Sequence, residues 1–553
     1  MFNIKQTIRE QIAGVVDDAI KKSGFSGIPY TVETPRERVN GDFSVNAAML
    51  LSKTAKKPPR AVAEILTNNM DISGTYIERA EVAGPGFINF FLGRQWLCDV
   101  IGIVERLGKR YGSAPPVGEK VMVEFVSANP TGPMHMGNAR GGALGDSLAN
   151  ILDFAGYDVT REFYLNDSGN QIEKFGCSLE ARYLQQCGID VPFDDEWYQG
   201  ADISERAKEF IDIYGDKYVN ASSEERKSAL VDYALSENVK MMKKILSRYR
   251  ISYDVWFSES SLYKSGEVDK VINILKERGF TYEKEGALWF RASNDGEKDE
   301  VLVRANGTPT YFAADIAYHK NKFDKRGFDR VIDIWGADHH GHVARMKTAM
   351  EAVGISSDRL TVVLMQLVRL MRGGEVARMS KRSGKAISLG DLLDEIGIDA
   401  ARFFFNMRNA GSHFDFDLDL AVEQSNNNPV YYVQYAHARI CSIIRILGED
   451  GVFVKKYADI DTGLLTEKEE LELLRKIAEF PDEIHAAAQT LEPSRMTRYA
   501  IELANEFHSF YNACRVNVDD EKIRDARLKL IDCARETLAN VLGILGVCAP
   551  ERM

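Results

Sequence analysis

The sequence predicts a multidomain α/β protein: a parallel-sheet core, an α+β unit before it and an all-helical unit after it. Two strand–helix–strand stretches, around 120–165 and 330–368, predict the parallel sheet, because parallel neighbours need a crossover helix. A Gly/Pro-rich link, Tyr111-Gly112-Ser113-Ala114-Pro115-Pro116-Val117-Gly118, marks a boundary ahead of the first stretch. From about residue 420 the apolar spacing is helical throughout. At 553 residues the chain exceeds what one core supports. The expected division is 1–112, then 113–420 with an insertion at about 170–300, then 421–553.

In chain order, helical patterning covers 3–22 and 45–70, and Ala80 to Leu92 reads as a turn leading into a strand. Lys120–Ser127 is a compact apolar strand followed by the turn Asn129-Pro130-Thr131-Gly132-Pro133. A helix over about 138–155 is closed by Gly156, and Val159–Leu165 is the next strand. The insertion carries an amphipathic stretch at Tyr233–Tyr249. The second α/β stretch comprises a strand at Arg330–Trp335, a helix at His342–Val353 ended by Gly354, and a strand at Leu360–Val368. Beyond 420, Thr466-x-x-Glu469 reads as a capping box for a helix with Leu471, Leu474 and Ile477 on one face and Pro481 after it. Arg498–Val516 and Asp520–Gly546 carry similar stripes. The alternation Phe414-Asp415-Phe416-Asp417-Leu418-Asp419-Leu420 gives a short extended segment with one wet face and no catalytic part.

Composition excludes several classes. Apolar content of 45% with 27% charged residues is ordinary for a globular protein, and no run of 18 apolar residues suggests a membrane span. The seven cysteines are scattered, without a CxxC pair, which predicts reduced thiols in a cytoplasmic protein. A net charge of −12 does not exclude RNA, because local basic surface decides that contact. Lys56-Lys57 with Arg60, Lys109-Arg110, and Arg378 to Lys385 are the local candidates.

Two separated segments carry chemistry. His135-Met136-Gly137-Asn138 stands where a strand hands over to a helix. A helix N-terminus offers unpaired N–H groups to phosphate, Gly137 permits close approach, and Gly141, Gly142 and Gly145 keep the first turns free of bulk. His135 is a donor that can follow charge developing on a phosphate oxygen. Met379-Ser380-Lys381-Arg382 lies in a basic loop, and Lys381 is the expected partner for departing pyrophosphate. Neither GxxxxGK[ST] nor a strand-linked GxGxxG is present, so P-loop and dinucleotide chemistry are not supported.

The pair resembles the HxGH and KMSKS elements of class I aminoacyl-tRNA synthetases, with Asn138 in place of the second histidine, Arg378 for the first lysine and Arg382 for the last serine. The surrounding residues are similar to those of the arginyl-tRNA synthetase family, bacterial type. The resemblance implies a Rossmann-like class I catalytic domain, and ATP held by His135, Gly137, Asn138, His342, Met379, Ser380 and Lys381, accompanied by Mg²⁺. Val123 to Pro133 resembles the family's strand and turn, so Glu124 and Asn129 would face the amino-acid end of the substrate. Asp315 matches the family's guanidinium-binding acid, Tyr311 its aromatic partner, and Glu259 a second acid from the insertion. Planar carboxylates suit a guanidinium, which is always charged. His339 aligns with an amino-group ligand, Asp338 being the one-residue alternative.

Three histidines crowd Gly336–His342, but the family uses a similar segment for substrate and ATP, so no structural zinc is expected. Asn428 to Arg439 resembles the opening of the family's anticodon-binding domain, and Ala549–Met553 its ending. The implied tRNA contacts are Tyr435, Tyr511 and Met553, with Phe87 and Asn89 in a first unit resembling the D-loop-reading domain. The expectation is a monomeric, cytoplasmic ligase for arginine and tRNA-Arg. Two rivals stand beside it: a non-catalytic tRNA-binding paralogue, and another HxGH nucleotidyltransferase that does not use tRNA.

Overall fold

The computed structural model describes residues 3–292, 299–377 and 387–553. Its centre is a parallel sheet of five strands: β1 (Lys120–Glu124), β2 (Asp158–Leu165), β3 (Val255–Ser258), β4 (Arg330–Gly336) and β5 (Leu360–Met365). Their spatial order is β5-β4-β1-β2-β3, all parallel. The chain builds outward from β1 to β3 and then restarts on the other side at β4. That reversal opens a crevice at the carboxyl ends of β1 and β4, where ligands of such sheets bind.

Both faces of the sheet are covered, as parallel strands require. Val121 and Val123 point into the layer of helix α1 (Gly137–Phe154), while Met122 points into the layer of α2 (Tyr311–Lys320) and α3 (His340–Ala352). Three strand predictions needed correction. β1 stops at Glu124 instead of reaching Ser127, because Val126 and Ser127 hold left-handed φ values of 72° and 32°. The strand foreseen over 360–368 breaks after Met365, and Val368–Arg372 joins a separate small sheet with Glu375–Val376 and Phe414–Asp417. The third strand was not foreseen: β3 comes from the insertion and forms the sheet's edge.

Before the sheet, a four-stranded sheet packs with helices Ile4–Lys22, Ala47–Ala55 and Pro59–Asn69. The helix read over 45–70 is therefore two, parted at Lys56, whose φ is 50°, with Pro59 opening the second. Ala80–Leu92 is a hairpin and not a turn with one strand, since Ile77–Ala83 and Phe87–Leu92 pair antiparallel.

After the sheet come helices Pro429–Glu449, Lys468–Thr490, Ser494–Ala513 and Glu521–Ile544. The capping box lies one residue later than expected, on Glu467 and Glu470. Pro481 does not follow the helix but sits inside it. A proline there removes the N–H that Ile477 C=O would accept. The buried Tyr111 hydroxyl takes that place, donating to Ile477 O at 2.8 Å. In the segment 414–420 the extended part ends at Asp417, whose carboxylate caps the short helix Leu418–Val422.

One continuous apolar core runs from Ile4 through α1 to the C-terminal helices. Asp482 clamps the first helix to the last unit, accepting from Asn3 at 2.7 Å and Arg9 at 2.8 Å.

Candidate active site

α1 begins at Gly137, two residues after His135. The turn before it is held from within. Asn138 Oδ1 accepts from His135 N–H at 3.1 Å, and His135 Nδ1 accepts from Gly137 N–H at 3.1 Å. Asn138 thus has a local task that a neutral side chain performs well. The glycines that follow serve close packing more than openness. A Cβ on Gly145 would lie 2.1 Å from Phe125 Cγ, and one on Gly142 would lie 2.7 Å from Ile251 Cδ1. One on Gly141 would fall 3.6 Å from Met365 Cε and 4.0 Å from Val126 N, so the first turn of α1 rests on the ends of β1 and β5.

Met379, Ser380 and Lys381 lie outside the described residues. The chain directly after that basic segment is stitched to the histidine turn. Ile387 O accepts from Met136 N–H at 3.1 Å, Leu389 N–H donates to Met134 O at 2.9 Å, and His135 pairs antiparallel with Ser388.

A cavity of about 590 Å³ opens at the carboxyl ends of β1, β2 and β4. It brings together Glu124, Asn129, Asp315, His339 and His342, which the sequence had placed far apart. The histidine turn is not among its lining residues; it follows β1 and flanks the cavity through α1. Asp315 accepts from or donates to His342 Nε2 at 3.2 Å, according to protonation. Asn129 donates to Asn166 O at 3.2 Å. His339 is exposed at the rim.

Two expected residues sit differently. Tyr311, one turn before Asp315 on α2, lines a neighbouring hollow and accepts from Asn170 N–H at 3.0 Å. Glu259 lies behind the cavity wall, only 1% exposed, and accepts from the Ser168 hydroxyl at 2.6 Å. Burial, reinforced by the charges of Asp315 and Asp167, pushes its carboxyl up to about 7. Between these acids stands Tyr164, at the end of β2. Its buried hydroxyl interacts with Glu259 and feels the charges of Asp315 and Glu124. Neither Asp315 nor Glu259 pairs with a lysine or arginine among the described residues, so this wall suits a cation with several N–H donors.

Sequence reading missed the layer beneath. Glu124 is buried, accepting from Ser127 Oγ at 2.8 Å, Tyr318 Oη at 2.9 Å and Lys322 Nζ at 2.6 Å. Lys322 also donates to Asp333 at 2.9 Å, and Asp333 contacts His319 Nε2 at 2.8 Å. Glu162 joins through Tyr318 and Arg326. Burial disfavours the Lys322 charge, but Asp333, Glu124 and Glu162 outweigh it and hold its ammonium above the ordinary range. A sequence signal existed: Tyr311, Asp315, Tyr318 and Lys322 recur at helical spacing. Lys322 itself falls in a π-turn, Asn321–Lys325, a feature common at functional sites.

Away from this centre, Tyr435 and Tyr511 meet in one partly exposed cluster. Arg439 lies 4.0 Å over the Tyr511 ring and donates to Tyr435 Oη at 3.2 Å, while Tyr431 stacks on Tyr435 at 6.3 Å. Met553 is exposed at the chain end, near the Pro550 carbonyl that contacts His437. Phe87 and Asn89 line a hollow of about 450 Å³ on the first unit. Phe87 is exposed there, whereas Asn89 is buried and accepts from Ser44 Oγ at 2.9 Å.

Comparison with known proteins accords with this architecture. Residues 3–92 match the family described as the arginyl tRNA synthetase N terminal domain, 104–441 the class I tRNA synthetase (R) catalytic domain, and 433–553 the DALR anticodon binding domain. The chain is 58% identical over 564 residues to the arginine–tRNA ligase of Ruminiclostridium cellulolyticum, covering 100% of both. It is 58% identical over 562 residues to that of Caldanaerobacter subterraneus subsp. tengcongensis, again covering 100% of both. The fold matches Thermus thermophilus arginyl-tRNA synthetase with a TM-score of 0.74 at 23% identity, over 99% of this chain and 100% of that one. With full-length relatives at this identity, and a cavity walled by acids at the sheet's switch point, the chain belongs to the arginyl-tRNA synthetase family.

Proposed function

We infer that this chain activates L-arginine with ATP and transfers it to the terminal adenosine of tRNA-Arg. The arginine carboxylate attacks the α-phosphate of ATP, giving arginyl-adenylate and releasing pyrophosphate. The 2′-hydroxyl of the terminal adenosine then attacks the arginyl carbonyl and AMP leaves. No covalent bond to the protein is needed, so catalysis rests on positioning and charge stabilisation.

The observation that carries the reading is the cavity walled by Glu124, Asp315 and Tyr164, with Glu259 buried behind it. Asp315 and Glu259 receive the guanidinium, with Tyr311 closing the adjoining hollow. Glu124, Asn129 and His339 hold the amino-acid end. His135, Gly137 and Asn138 offer the α1 N-terminus to the nucleotide, His342 meets it from the cavity wall, and Met379, Ser380 and Lys381 are the pyrophosphate-facing group. Mg²⁺ enters with ATP as the counter-ion of its phosphates. Tyr435, Tyr511 and Met553 face the anticodon arm, and Phe87 and Asn89 the D-loop. The units 1–112, 113–420 and 421–553 divide these tasks, in a monomeric protein of the cytoplasm. Arginine activation is expected to need bound tRNA.

Asp315→Ala tests the pocket. Removing one partner of a desolvated charge pair costs about 2–5 kcal/mol. Arginine KM in ATP–pyrophosphate exchange rises accordingly while ATP KM barely moves. Equal losses toward both substrates would remove Asp315 from the pocket.

A further inference from the structure

Lys322 has no part in the motifs and is not among the residues lining the acid-walled cavity, yet it is the cation at the centre of the site's buried acids. It is fully buried and donates to both Glu124 Oε2 and Asp333 Oδ1. The Tyr318 hydroxyl also reaches that Glu124 oxygen, at 2.9 Å, its single proton shared with Glu162. Among the described residues Oε1 meets only the Ser127 hydroxyl, at 2.8 Å, and keeps acceptor capacity while Glu124 lines the cavity.

We propose that Lys322 is a positioning residue for arginine activation: by anchoring Oε2 it keeps Glu124 ionised and turns Oε1 toward the α-ammonium of the substrate. This rests on the reading of Glu124 as the ligand of the amino-acid end. The groups that face Glu124 set the balance. β2 supplies Glu162 and Tyr164, α2 supplies Tyr318, the π-turn supplies Lys322, and β4 supplies Asp333; Arg326 is engaged by Glu162. Burial, together with Asp333 and Glu162, pushes the Glu124 carboxyl upward, and Lys322 is the cation that opposes them. Without it the carboxyl is pushed further up, toward the protonated form, whose O–H repels an ammonium N–H.

Lys322→Met alone leaves two buried acids unpaired, so the test uses Lys322→Met combined with Asp333→Asn, which removes one charge of each sign. Thermal melting reports whether it folds. The expected result is an arginine KM raised about tenfold or more at pH 7, with ATP KM within about twofold. The acid limb of kcat/KM for arginine should also move to higher pH than in wild type, so that activity partly recovers in alkali. A folded double variant with unchanged arginine KM and an unmoved limb overturns the proposal. Asp333→Asn alone, which keeps Lys322, should leave arginine KM within about threefold; a rise matching the double variant assigns the effect to Asp333 and overturns it too. Glu124→Gln separates the two layers. If it leaves arginine KM unchanged, the reading of Glu124 fails; if it raises KM while the double variant does not, only the role of Lys322 fails. Should the double variant not fold, infrared difference spectra between wild type and Glu124→Gln at pH 7.5 decide. Loss of a carboxylate band is expected, and loss of a protonated carboxyl band overturns the proposal.

Discussion

At the residue scale, the proposed role of Glu259 in the pocket makes arginine recognition depend on pH. Burial raises its carboxyl to about 7, so in the empty site near neutrality it is half protonated. A guanidinium favours the carboxylate, so the bound-state value falls and binding below pH 7 must expel a proton. Arginine KM should therefore climb by up to about tenfold per pH unit below 7 and level off above it. Glu259→Gln should flatten that limb while raising KM at pH 8; an unchanged slope would free Glu259 of this role. Strain at the same place supports a functional reading. Val126, a β-branched residue, sits at φ 72° next to the cavity. Such backbone is legible only in coordinates. The acids were legible because the surrounding motif residues named them, but Lys322 and Tyr164 were not, since a lysine and a tyrosine in apolar helix and strand patterns carry no signal of what they face.

At the element scale, the helix at Lys468–Thr490 shows how a local rule gives way to a tertiary partner. Proline normally ends a helix, and reading Pro481 so was the wrong inference. Tyr111, from the link read as a domain boundary, reaches across and satisfies the orphaned Ile477 carbonyl. Tyr111→Phe keeps the ring and deletes only that bond, leaving a buried carbonyl unpaired at about 1–3 kcal/mol. Melting temperature should fall while arginine and ATP KM hold; an unchanged melt would show that water or a shift replaces the hydroxyl. The βαβ elements read well, because apolar strands bounded by glycine turns have few other solutions. Val255–Ser258 could not be assigned to the sheet beforehand, since a four-residue strand inside a helical insertion has no periodicity to distinguish it. In the last unit, the proposed stacking of unstacked bases falls on the Tyr435–Arg439–Tyr511 cluster. Tyr435→Ala should raise the tRNA KM by about 1–3 kcal/mol equivalent with the arginine KM unchanged; equal shifts in both would tie this helix face to the catalytic fold instead.

At the scale of the whole molecule, the first and last units are joined by a charge clamp as well as by apolar core. Burial disfavours the Asp482 charge, but Arg9, Lys5 and Asn3 outweigh it and hold the carboxyl below its ordinary range. For a carboxyl depressed in the folded state, the stabilisation is complete above the unfolded value and is lost as pH falls through the folded one. Asp482→Asn should therefore lower the melting temperature at pH 7 and converge with wild type in strong acid; parallel curves at all pH values would show that the clamp contributes no pH-linked stability. Units that share one continuous core also explain why separately read domains form one body around the sheet. The central proposal is that the cavity selects a planar cation by charge. Amino-acid-dependent ATP–pyrophosphate exchange with tRNA-Arg present tests this most directly, comparing arginine with citrulline, its neutral near-isostere. Exchange with arginine and, because buried acids would be left unpaired, at least about a thousandfold lower kcat/KM with citrulline is the predicted result; comparable rates for the two, or no exchange with arginine, would contradict it.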